Sequence, residues 1–383
     1  MNDGIRAVML LSDGYGGFGG IAKFNRDFLA ALNASDRIER VDVLPRAIAS
    51  PIDEAIPEAV VYDRKAAAGK LAFLRRTLRR AAAAGPVDWV ICGHCRLLPA
   101  AWALARWRRA RLALIIHGVE AWSAPGRAVE RWLAGDIDAL MSVSRLSAER
   151  FAAWSGWPVE RTCILPNGVD LARFTPRPKD ARLLRRYGLG DGRILLTVAR
   201  LADNERSKGC DEVIALMPRL LACYPDLQYL IVGDGRDRPR LAAKAEALGL
   251  GGAVVFAGRI AEADKVDTYN LADAFVMPSR GEGFGIVLIE AAACGLPVIG
   301  SRIDGSREAL LDGELGRLVD PGDADEIYAA IAATLDAGRS RQRNAAVETF
   351  SDRHFVRRVG DWVTRMATVE ASSSSSPAGV GML

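Results

Sequence analysis

The stretch GEGFGIVLIE, residues 281–290, places two carboxylates, Glu282 and Glu290, eight positions apart around a glycine-rich turn. The apolar run at 274–278 predicts a buried strand, so the local order is strand, glycine loop and helix N-terminus. Backbone N–H groups of the loop and the first helical turn, together with the helix dipole, make an anion site there. Glu282 would face a ligand from the loop, and Glu290 would lie about two turns into the helix. The whole pattern predicts a ligand site, although either glutamate alone could belong to an ordinary capped helix.

The rest of the chain alternates apolar runs with helical patterns, which is typical of parallel sheets covered by helices on both faces. With 383 residues and 50% hydrophobic content, the chain is long enough for two domains with separate cores. The predicted strands lie at 7–11, 41–44, 88–92, 112–116, 138–143 and 162–165 for the first sheet, and at 193–199, 228–232, 253–257, 274–278 and 297–299 for the second. We therefore predict an α/β fold with two Rossmann-like, doubly wound domains.

The domain boundaries follow from the same pattern. Pro, Asn and Gly interrupt helical periodicity at 166–178, where we place the hinge. The first domain is predicted to span residues 1–170 and the second 171–350, followed by a helix at 351–370. A run of five serines makes 371–383 a low-complexity segment, which we expect to be disordered.

Sequence features also predict the cellular compartment. The N-terminus leads almost directly into the first strand without a signal-peptide pattern, and no stretch of about 18 uncharged apolar residues could span a bilayer. Six scattered cysteines, mostly within apolar segments, indicate reduced thiols and no disulfide framework. We therefore expect a cytoplasmic protein.

Positive charge is concentrated in the first domain. Residues 1–170 carry 23 Lys and Arg against 18 Asp and Glu, whereas the remainder carries 28 against 29. Residues 64–80 contain seven basic and no acidic residues, and residues 96–111 contain five basic residues with Trp102 and Trp107 between them. Basic helices with aromatic residues on an apolar face suit peripheral contact with an anionic membrane, which here would be the inner side of the cell membrane. The alternative is that these cations form the solvated face of an ordinary core helix. Nucleic acid is disfavoured, because the net charge of +4 is modest and no recognition module occurs.

Several short motifs accompany the glutamate stretch in a fixed order. They are GGI at 19–21, HG at 117–118, PNGVD at 166–170, VARL at 198–201, SKG at 207–209, VGDG at 232–235 and FAGR at 256–259. Together they resemble the retaining family-four glycosyltransferases, whose signature is E-x7-E, and the resemblance covers residues 5–365. It implies the GT-B fold, in which two Rossmann-like domains face each other across a cleft and the C-terminal helix crosses back to the first domain.

The resemblance also implies roles for the matched residues. Arg200 and Lys208 would hold the donor diphosphate, whose negative charge grows as the glycosidic bond breaks. Glu282 would bind hydroxyls of the donor sugar, and His117 would contact that sugar from the first domain. These four are the predicted catalytic residues. Glu120, three residues after His117, is the candidate for acceptor binding.

The donor would contact a larger set of residues. Two glycines would admit the diphosphate close to the backbone, the loop amides would contact the sugar, and Glu290 would bind the ribose hydroxyls, while Arg259 and Ile260 would lie near the base. The complete predicted donor-binding set is Gly19, Gly20, Arg200, Lys208, Arg259, Ile260, Glu282, Gly283, Phe284, Gly285, Ile286 and Glu290.

The implied reaction is the retaining transfer of a hexose from a nucleotide diphosphate sugar, without a metal ion or another cofactor. The first domain lacks an obvious carboxylate nucleophile at a matched position, which fits a reaction in which the leaving phosphate helps to deprotonate the acceptor. The resemblance favours GDP-mannose, with a UDP-hexose as the alternative. The acceptor would be a saccharide or lipid-linked saccharide in the synthesis of a cell-surface polysaccharide or glycolipid.

Three other motifs suggest different chemistry. The CGHC motif at 92–95 has thiol-redox spacing, but it ends a strand and offers an incomplete zinc ligand set. Asp136 and Asp138 have the D-x-D spacing of metal-dependent transferases but lead directly into a buried strand. Residues 14–19 satisfy G-x-G-x-x-G, although the acid that this fingerprint needs, Asp42, lies inside the second predicted strand. The fingerprint makes an NAD-linked dehydrogenase one alternative from another class. A non-catalytic sugar-nucleotide-binding subunit is the second alternative.

Overall fold

The computed structural model describes residues 4–124, 128–203, 206–338 and 342–373, which fall into two compact units. The first unit contains the described residues up to Ser142, Ala148–Leu165 and those from Arg353 onward. The second unit contains Val143–Ser147 and Pro166–Asp352. The chain thus returns to the first unit with its last helix.

Within the described ranges, the first unit contains one parallel sheet of seven strands. They are β1 (Ile5–Leu11), β2 (Ile38–Pro45), β3 (Val60–Tyr62), β4 (Trp89–Cys92), β5 (Arg111–Ile116), β6 (Ala139–Ser142) and β7 (Thr162–Ile164). The helices in this part of the chain are α1 (Gly20–Asn33), α2 (Lys70–Ala82), α3 (Leu98–Arg108), α4 (Ala128–Gly135) and α5 (Arg145–Ser155). The strand order is β3-β2-β1-β4-β5-β6-β7, so it reverses direction between β1 and β4.

In the part of the second unit that the structure describes, six parallel strands form the sheet. They are β8 (Ile194–Val198), β9 (Gln228–Val232), β10 (Val254–Gly258), β11 (Ala274–Met277), β12 (Val298–Ser301) and β13 (Arg317–Val319). The helices are α6 (Ala181–Tyr187), α7 (Cys210–Cys223), α8 (Arg238–Ala247), α9 (Lys265–Tyr269), α10 (Ile286–Ala293), α11 (Ser306–Ala309) and α12 (Ala324–Ala337). The order β10-β9-β8-β11-β12-β13 reverses between β8 and β11.

The cores form because helices cover both faces of each sheet. In β1 every residue except Arg6 is buried, as expected for a central strand of a parallel sheet. The last helix, α13 (Asp352–Ser373), contributes to the first core: its Phe355 and Trp362 lie 5.7 Å, centroid to centroid, from Phe24 and Phe28 of α1, respectively. These aromatic contacts anchor the end of the chain to the first sheet.

The predicted α/β fold with two Rossmann-like domains is confirmed, and each predicted strand run overlaps an observed strand. Two strands, β3 and β13, were not predicted. Each has three residues, lies at the edge of its sheet and buries only one of them. The last helix extends past the predicted end at residue 370 to Ser373, and the rest of the predicted tail lies outside the described residues. No helix among the described residues is long and apolar enough to cross a bilayer.

Candidate functional site

Each sheet has a point where its strand order reverses, and the loops at the carboxyl ends of the two strands there leave a crevice suited to a ligand. In the second unit these loops follow β8 and β11. The first contains Ser207 and Lys208, and the second contains Arg280, Gly281 and Glu282. The backbone N–H of Arg280 donates to the carbonyl of Ser207 at 2.7 Å, so the two loops are tied together.

Lys208 and Glu282 form an ion pair at this point. The Lys208 Nζ lies 2.8 Å from the Glu282 Oε2 and 3.3 Å from the carbonyl oxygen of Gly281. Both side chains are about one-fifth exposed, at 18% and 20%, so the pair borders solvent while it is partly shielded from it. A charge-assisted hydrogen bond in such surroundings fixes both side chains. Two residues predicted separately to bind phosphate and sugar thus lie together.

Glycines allow the loops to approach each other. Gly209, which precedes α7, has φ +81°, and a Cβ built there would lie 2.5 Å from the Cδ of Pro278. Gly285, which precedes α10, has φ +96°. Since L-residues with side chains disfavour these angles, both positions require glycine for the observed loop path.

Arg200 lies with Lys208 and Arg206 in the lining of one shallow pocket, which also includes Asp211 and Asp237. Arg200 is exposed and follows β8 directly. Three cations and two carboxylates line this pocket, and Arg206 pairs with Asp237 at 3.0 Å. The structure thus brings the predicted pair Arg200 and Lys208 to one place.

Two other predicted donor contacts, Arg259 and Ile260, follow β10 at the edge of the sheet. Arg259 is exposed and Ile260 is half-buried. Within the glycine loop, the Phe284 ring is buried and packs edge-on to Phe350 with centroids 5.4 Å apart. The Phe284 side chain therefore belongs to the core, and its backbone is the part available to a ligand.

Glu290 has a different environment from the one expected. Its side chain has no exposed surface. Its Oε1 accepts a hydrogen bond from the Lys265 Nζ at 2.7 Å, and its Oε2 accepts one from the Tyr269 hydroxyl at 2.8 Å. Burial raises the pKa of Tyr269 well above its ordinary value, with a further contribution from the Glu290 charge. The carboxylate thus joins α9 to α10, and its contact with ribose hydroxyls stays a prediction.

Asp304, which was not predicted, lies beside the glutamate loop. Its carboxylate accepts hydrogen bonds from the Ser279 hydroxyl at 2.6 Å, the Glu282 N–H at 2.9 Å and the Ser306 N–H at 3.0 Å. Burial raises the pKa of this carboxyl, although the bonds from Ser279 and Ser306 oppose the shift. Its position just after β12, at the carboxyl edge of the sheet, was the signal that could have identified it.

In the first unit, His117 follows β5 and is partly exposed. Its Nε2 lies 3.0 Å from the carbonyl oxygen of Gly93, and its backbone N–H donates to the Glu120 carboxylate at 2.5 Å. Glu120 also accepts from the Gly118 N–H at 3.2 Å, so its first role is to hold the loop after β5. Burial lowers the pKa of His117, with Glu120 acting in the opposite direction.

A second histidine, His94, was predicted only as part of the CGHC motif. It follows β4, and its Nδ1 accepts from the Arg96 N–H at 3.1 Å. Burial lowers its pKa as well, and the charge of Glu120 raises it. In the same motif, burial raises the pKa of Cys92 to about 12, so this thiol stays protonated at neutral pH and is a poor redox nucleophile.

The first glycine loop ends at Gly19, which has φ +88° and precedes α1. A Cβ built at Gly19 would meet no atom within 4 Å, so a ligand could approach this helix N-terminus. Gly16 is different, because a Cβ there would lie 2.5 Å from the carbonyl oxygen of Ser50. Packing therefore explains one glycine of the dinucleotide fingerprint.

The D-x-D pair has structural partners. Asp136 accepts from the Trp102 indole N–H at 2.6 Å, and Asp138 accepts from the Leu112 N–H at 2.8 Å. Among the described residues, no group of three or more His, Cys, Asp and Glu side chains is arranged to hold a metal ion. The role of Asp136 and Asp138 is thus to fix the start of β6.

Comparisons with known proteins show which family this chain resembles. A family model described as "Glycosyltransferase Family 4" matches residues 18–173, and one described as "Glycosyl transferases group 1" matches residues 183–348. The chain is 37% identical over 268 residues to a GDP-mannose-dependent alpha-(1-6)-phosphatidylinositol monomannoside mannosyltransferase of Mycolicibacterium smegmatis, covering 67% of this chain and 68% of that protein.

A second relative and a solved structure extend the likeness. The chain is 36% identical over 234 residues to a GDP-mannose-dependent monoacylated alpha-(1-6)-phosphatidylinositol monomannoside mannosyltransferase of Corynebacterium glutamicum, covering 57% of this chain and 59% of that protein. The crystal structure of Anabaena HepE in complex with UDP and glucose superposes with a TM-score of 0.69 at 22% identity, covering 97% of this chain and all of that one. This last likeness shows the fold alone.

Proposed function

This chain belongs to family four of the glycosyltransferases, and on that premise we propose that it transfers mannose from GDP-mannose to a lipid-linked saccharide, with retention and without a metal ion. The relatives from M. smegmatis and C. glutamicum are named as GDP-mannose-dependent mannosyltransferases, which supports this donor and acceptor class. The observation that carries the proposal is the Lys208–Glu282 pair, which sets a cation for a diphosphate beside a carboxylate for a sugar.

The chemistry follows from the charges at the site. As the bond between sugar and phosphate breaks, negative charge grows on the nucleoside diphosphate, and Arg200 and Lys208 would stabilise it. Fixed cations can perform the task that a metal ion performs in other transferases. Glu282 would orient the sugar through its hydroxyls. The leaving phosphate would help to deprotonate the acceptor.

A binding panel with GDP, UDP, ADP, NAD and NADP tests the donor class. We expect GDP alone to raise the melting temperature, because a ligand at a hundred times its dissociation constant stabilises the native state by about 2.7 kcal/mol. Turnover of GDP-mannose with a lipid-linked acceptor in the presence of EDTA, with the anomeric product read by NMR, then tests retention and metal independence. A response to UDP alone would favour the UDP-hexose alternative, and a response to NAD or NADP alone would contradict the proposal.

Two substitutions sharpen the turnover assay. Lys208→Ala should lower turnover about a hundredfold, the usual cost of removing one fixed donor at a developing negative charge. Arg185→Ala removes an exposed cation of α6 in the same unit and should leave turnover unchanged. GDP binding without any turnover in the unsubstituted protein would favour the non-catalytic binding subunit.

We also propose that the first unit contacts an anionic membrane through α2. This helix exposes three leucines at helical spacing, Leu71 (83% exposed), Leu74 and Leu78 (69% exposed). Lys70, Arg75 and Arg79 are exposed on the same helix. Positions 71, 74, 75, 78 and 79 share one helical face, so apolar and cationic side chains are presented together.

The other side of α2 is attached to the protein. Phe73 and Thr77 are buried, while Arg76 pairs with Asp63, and Arg80 pairs with Asp42 at 2.7 Å. These contacts explain the buried face of α2 and the positions of Arg76 and Arg80. They do not explain why the three leucines are exposed. An anionic bilayer suits this face because each Lys or Arg near its surface contributes about 1 kcal/mol.

Vesicle sedimentation tests the membrane contact. The protein should partition to vesicles containing phosphatidylglycerol, more weakly at high salt and more weakly still to phosphatidylcholine alone. Leu71→Gln, Leu74→Gln and Leu78→Gln together should lower partitioning about a hundredfold, since each partly inserted leucine contributes about 1 kcal/mol. Leu248→Gln, at an exposed leucine of the second unit, is the matched control. Equal partitioning of the triple variant and the unsubstituted protein would contradict this proposal.

A further inference from the structure

The backbone of Glu282 is held at both of its polar groups by one short segment. Its N–H donates to the Asp304 Oδ2 at 2.9 Å, and its carbonyl oxygen accepts from the Gly305 N–H at 2.8 Å. A Cβ at Gly305 would overlap the carbonyl of Gly283, so the two segments lie backbone against backbone. Glu282 therefore cannot shift without breaking contacts to residues 304–305.

The Asp304 carboxylate is itself fixed on all sides. It is 2% exposed, its Oδ2 accepts from both the Ser279 hydroxyl and the Glu282 N–H, and its Oδ1 accepts from the Ser306 N–H. A buried charge is costly unless hydrogen bonds compensate it, and three donors do so here. An asparagine could place its carbonyl oxygen at the Oδ2 position and keep the bonds from Ser279 and Glu282, whereas an alanine offers no acceptor to any of the three donors.

We propose that Asp304 is a positioning residue for sugar transfer, which acts by fixing Glu282 at the place where that carboxylate meets the donor sugar. The proposal rests on the proposed function only in that Glu282 contacts the sugar. Asp304 itself would not contact the donor. A loop that supports a sugar-binding group must hold it within a fraction of an ångström, since a misplacement of about 1 Å can cost a hundredfold in rate.

The selective test is Asp304→Ala in the full-length protein, which removes the acceptor of the Glu282 N–H. We expect kcat for GDP-mannose to fall about a hundredfold, while the dissociation constant for GDP stays within about twofold, because the variant misplaces the sugar contact and leaves the diphosphate cations intact. Combined with Glu282→Gln, the double variant should be no slower than Glu282→Gln alone, since both changes remove one function. Weakened GDP binding, or losses that multiply in the double variant, would overturn the positioning role.

Two controls separate positioning from a loss of stability. Thr334→Val removes another buried hydrogen bond in the same unit, from the Thr334 hydroxyl to the carbonyl of Ala330 at 2.7 Å, and should leave kcat unchanged at a comparable melting temperature. Ser279→Ala removes one donor to Asp304 but keeps the Glu282 N–H bond, so it should cost less than Asp304→Ala. A Ser279→Ala loss as large as that of Asp304→Ala would contradict the proposal.

A readout without turnover distinguishes this proposal from the proposed function. Hydrogen exchange at the amides of residues 281–285, followed by mass spectrometry, should become at least tenfold faster in Asp304→Ala and stay unchanged in Thr334→Val. If the unsubstituted protein transfers no sugar but the exchange result holds, the proposed function fails, whereas the role of Asp304 in fixing the loop is supported. If exchange is unchanged in Asp304→Ala, the inference fails whatever the activity.

Discussion

The two glutamates of the stretch 281–290 have separate tasks. Glu282 borders solvent beside Lys208, whereas Glu290 is enclosed and joined to Lys265 and Tyr269. A buried carboxylate that loses its cation is left as an uncompensated charge, which is among the most destabilising changes in a protein. Glu290 therefore contributes to folding through α9 and α10 whatever part it has in donor binding.

This division predicts the outcome of substitutions around Glu290. Lys265→Met should destabilise the protein by about 3 kcal/mol, because the carboxylate stays buried without its cation. Tyr269→Phe should cost about 2 kcal/mol, typical of a hydrogen bond to a charged group. Denaturant unfolding measures both changes.

A second variant tests the coupling. Lys265→Met with Glu290→Gln should be more stable than Lys265→Met alone, since the unpaired charge is gone. If Lys265→Met unfolds at the same denaturant concentration as the unsubstituted protein, the pair does not stabilise the fold, and an enclosed structural role for Glu290 is wrong.

At the same scale, sequence could identify residues whose neighbours in the chain reveal them. Glu282 and Lys208 were predicted because each lies in a short motif with glycine, but their contact across 74 positions was not predicted. Asp304 was not predicted, because no motif surrounds it and its partner Glu282 is 22 positions away. His94 was predicted only as part of a thiol motif, since its proximity to Glu120 depends on the packing of β4 against β5.

At the scale of elements, prediction succeeded where a strand is central and buried on both faces. β11 is a continuous apolar run and β1 is one from Ala7 onward, so composition alone indicates them. β3 and β13 have three residues each, with one side chain exposed, and only pairing with β2 and β12 makes them strands. The rest of the sheet supplies their backbone pairing, and three residues are too few to show the alternation of apolar and polar residues that predicts a strand.

Helix α3 shows the same limit for side-chain exposure. Its two tryptophans were predicted to share an apolar membrane face. Trp107 is exposed, whereas Trp102 packs against Trp132 with centroids 5.3 Å apart and donates to Asp136. The exposed apolar face of α2 consists of leucines instead, and sequence could not show which side of that helix the sheet would cover.

For the whole molecule, the two units differ in the groups that titrate in acid. The first unit contains His94 and His117, whose pKa values are lowered chiefly by burial. The second unit contains Asp211, whose pKa is lowered to about 2, first by its hydrogen bond from the Arg240 side chain. In each case the unfolded chain binds the proton at a higher pH than the folded one, so stability falls as pH falls. The pH at which this loss of stability begins differs: it is near ~6.5 for the histidines and near ~3.9 for the aspartate.

We therefore expect acid to destabilise the protein in two stages. Between pH 7.5 and 5.5 the melting temperature should fall, and His94→Gln should make that fall smaller, because one imidazole no longer takes up a proton on unfolding. Asp211→Asn should leave this first stage unchanged and reduce the further loss between pH 4 and pH 2, where the Asp211 carboxylate is protonated. Calorimetry at 1 °C per minute, with pH set by buffers of matched ionic strength, measures both stages. A first stage of the same size in His94→Gln as in the unsubstituted protein would show that the His94 imidazole does not govern it.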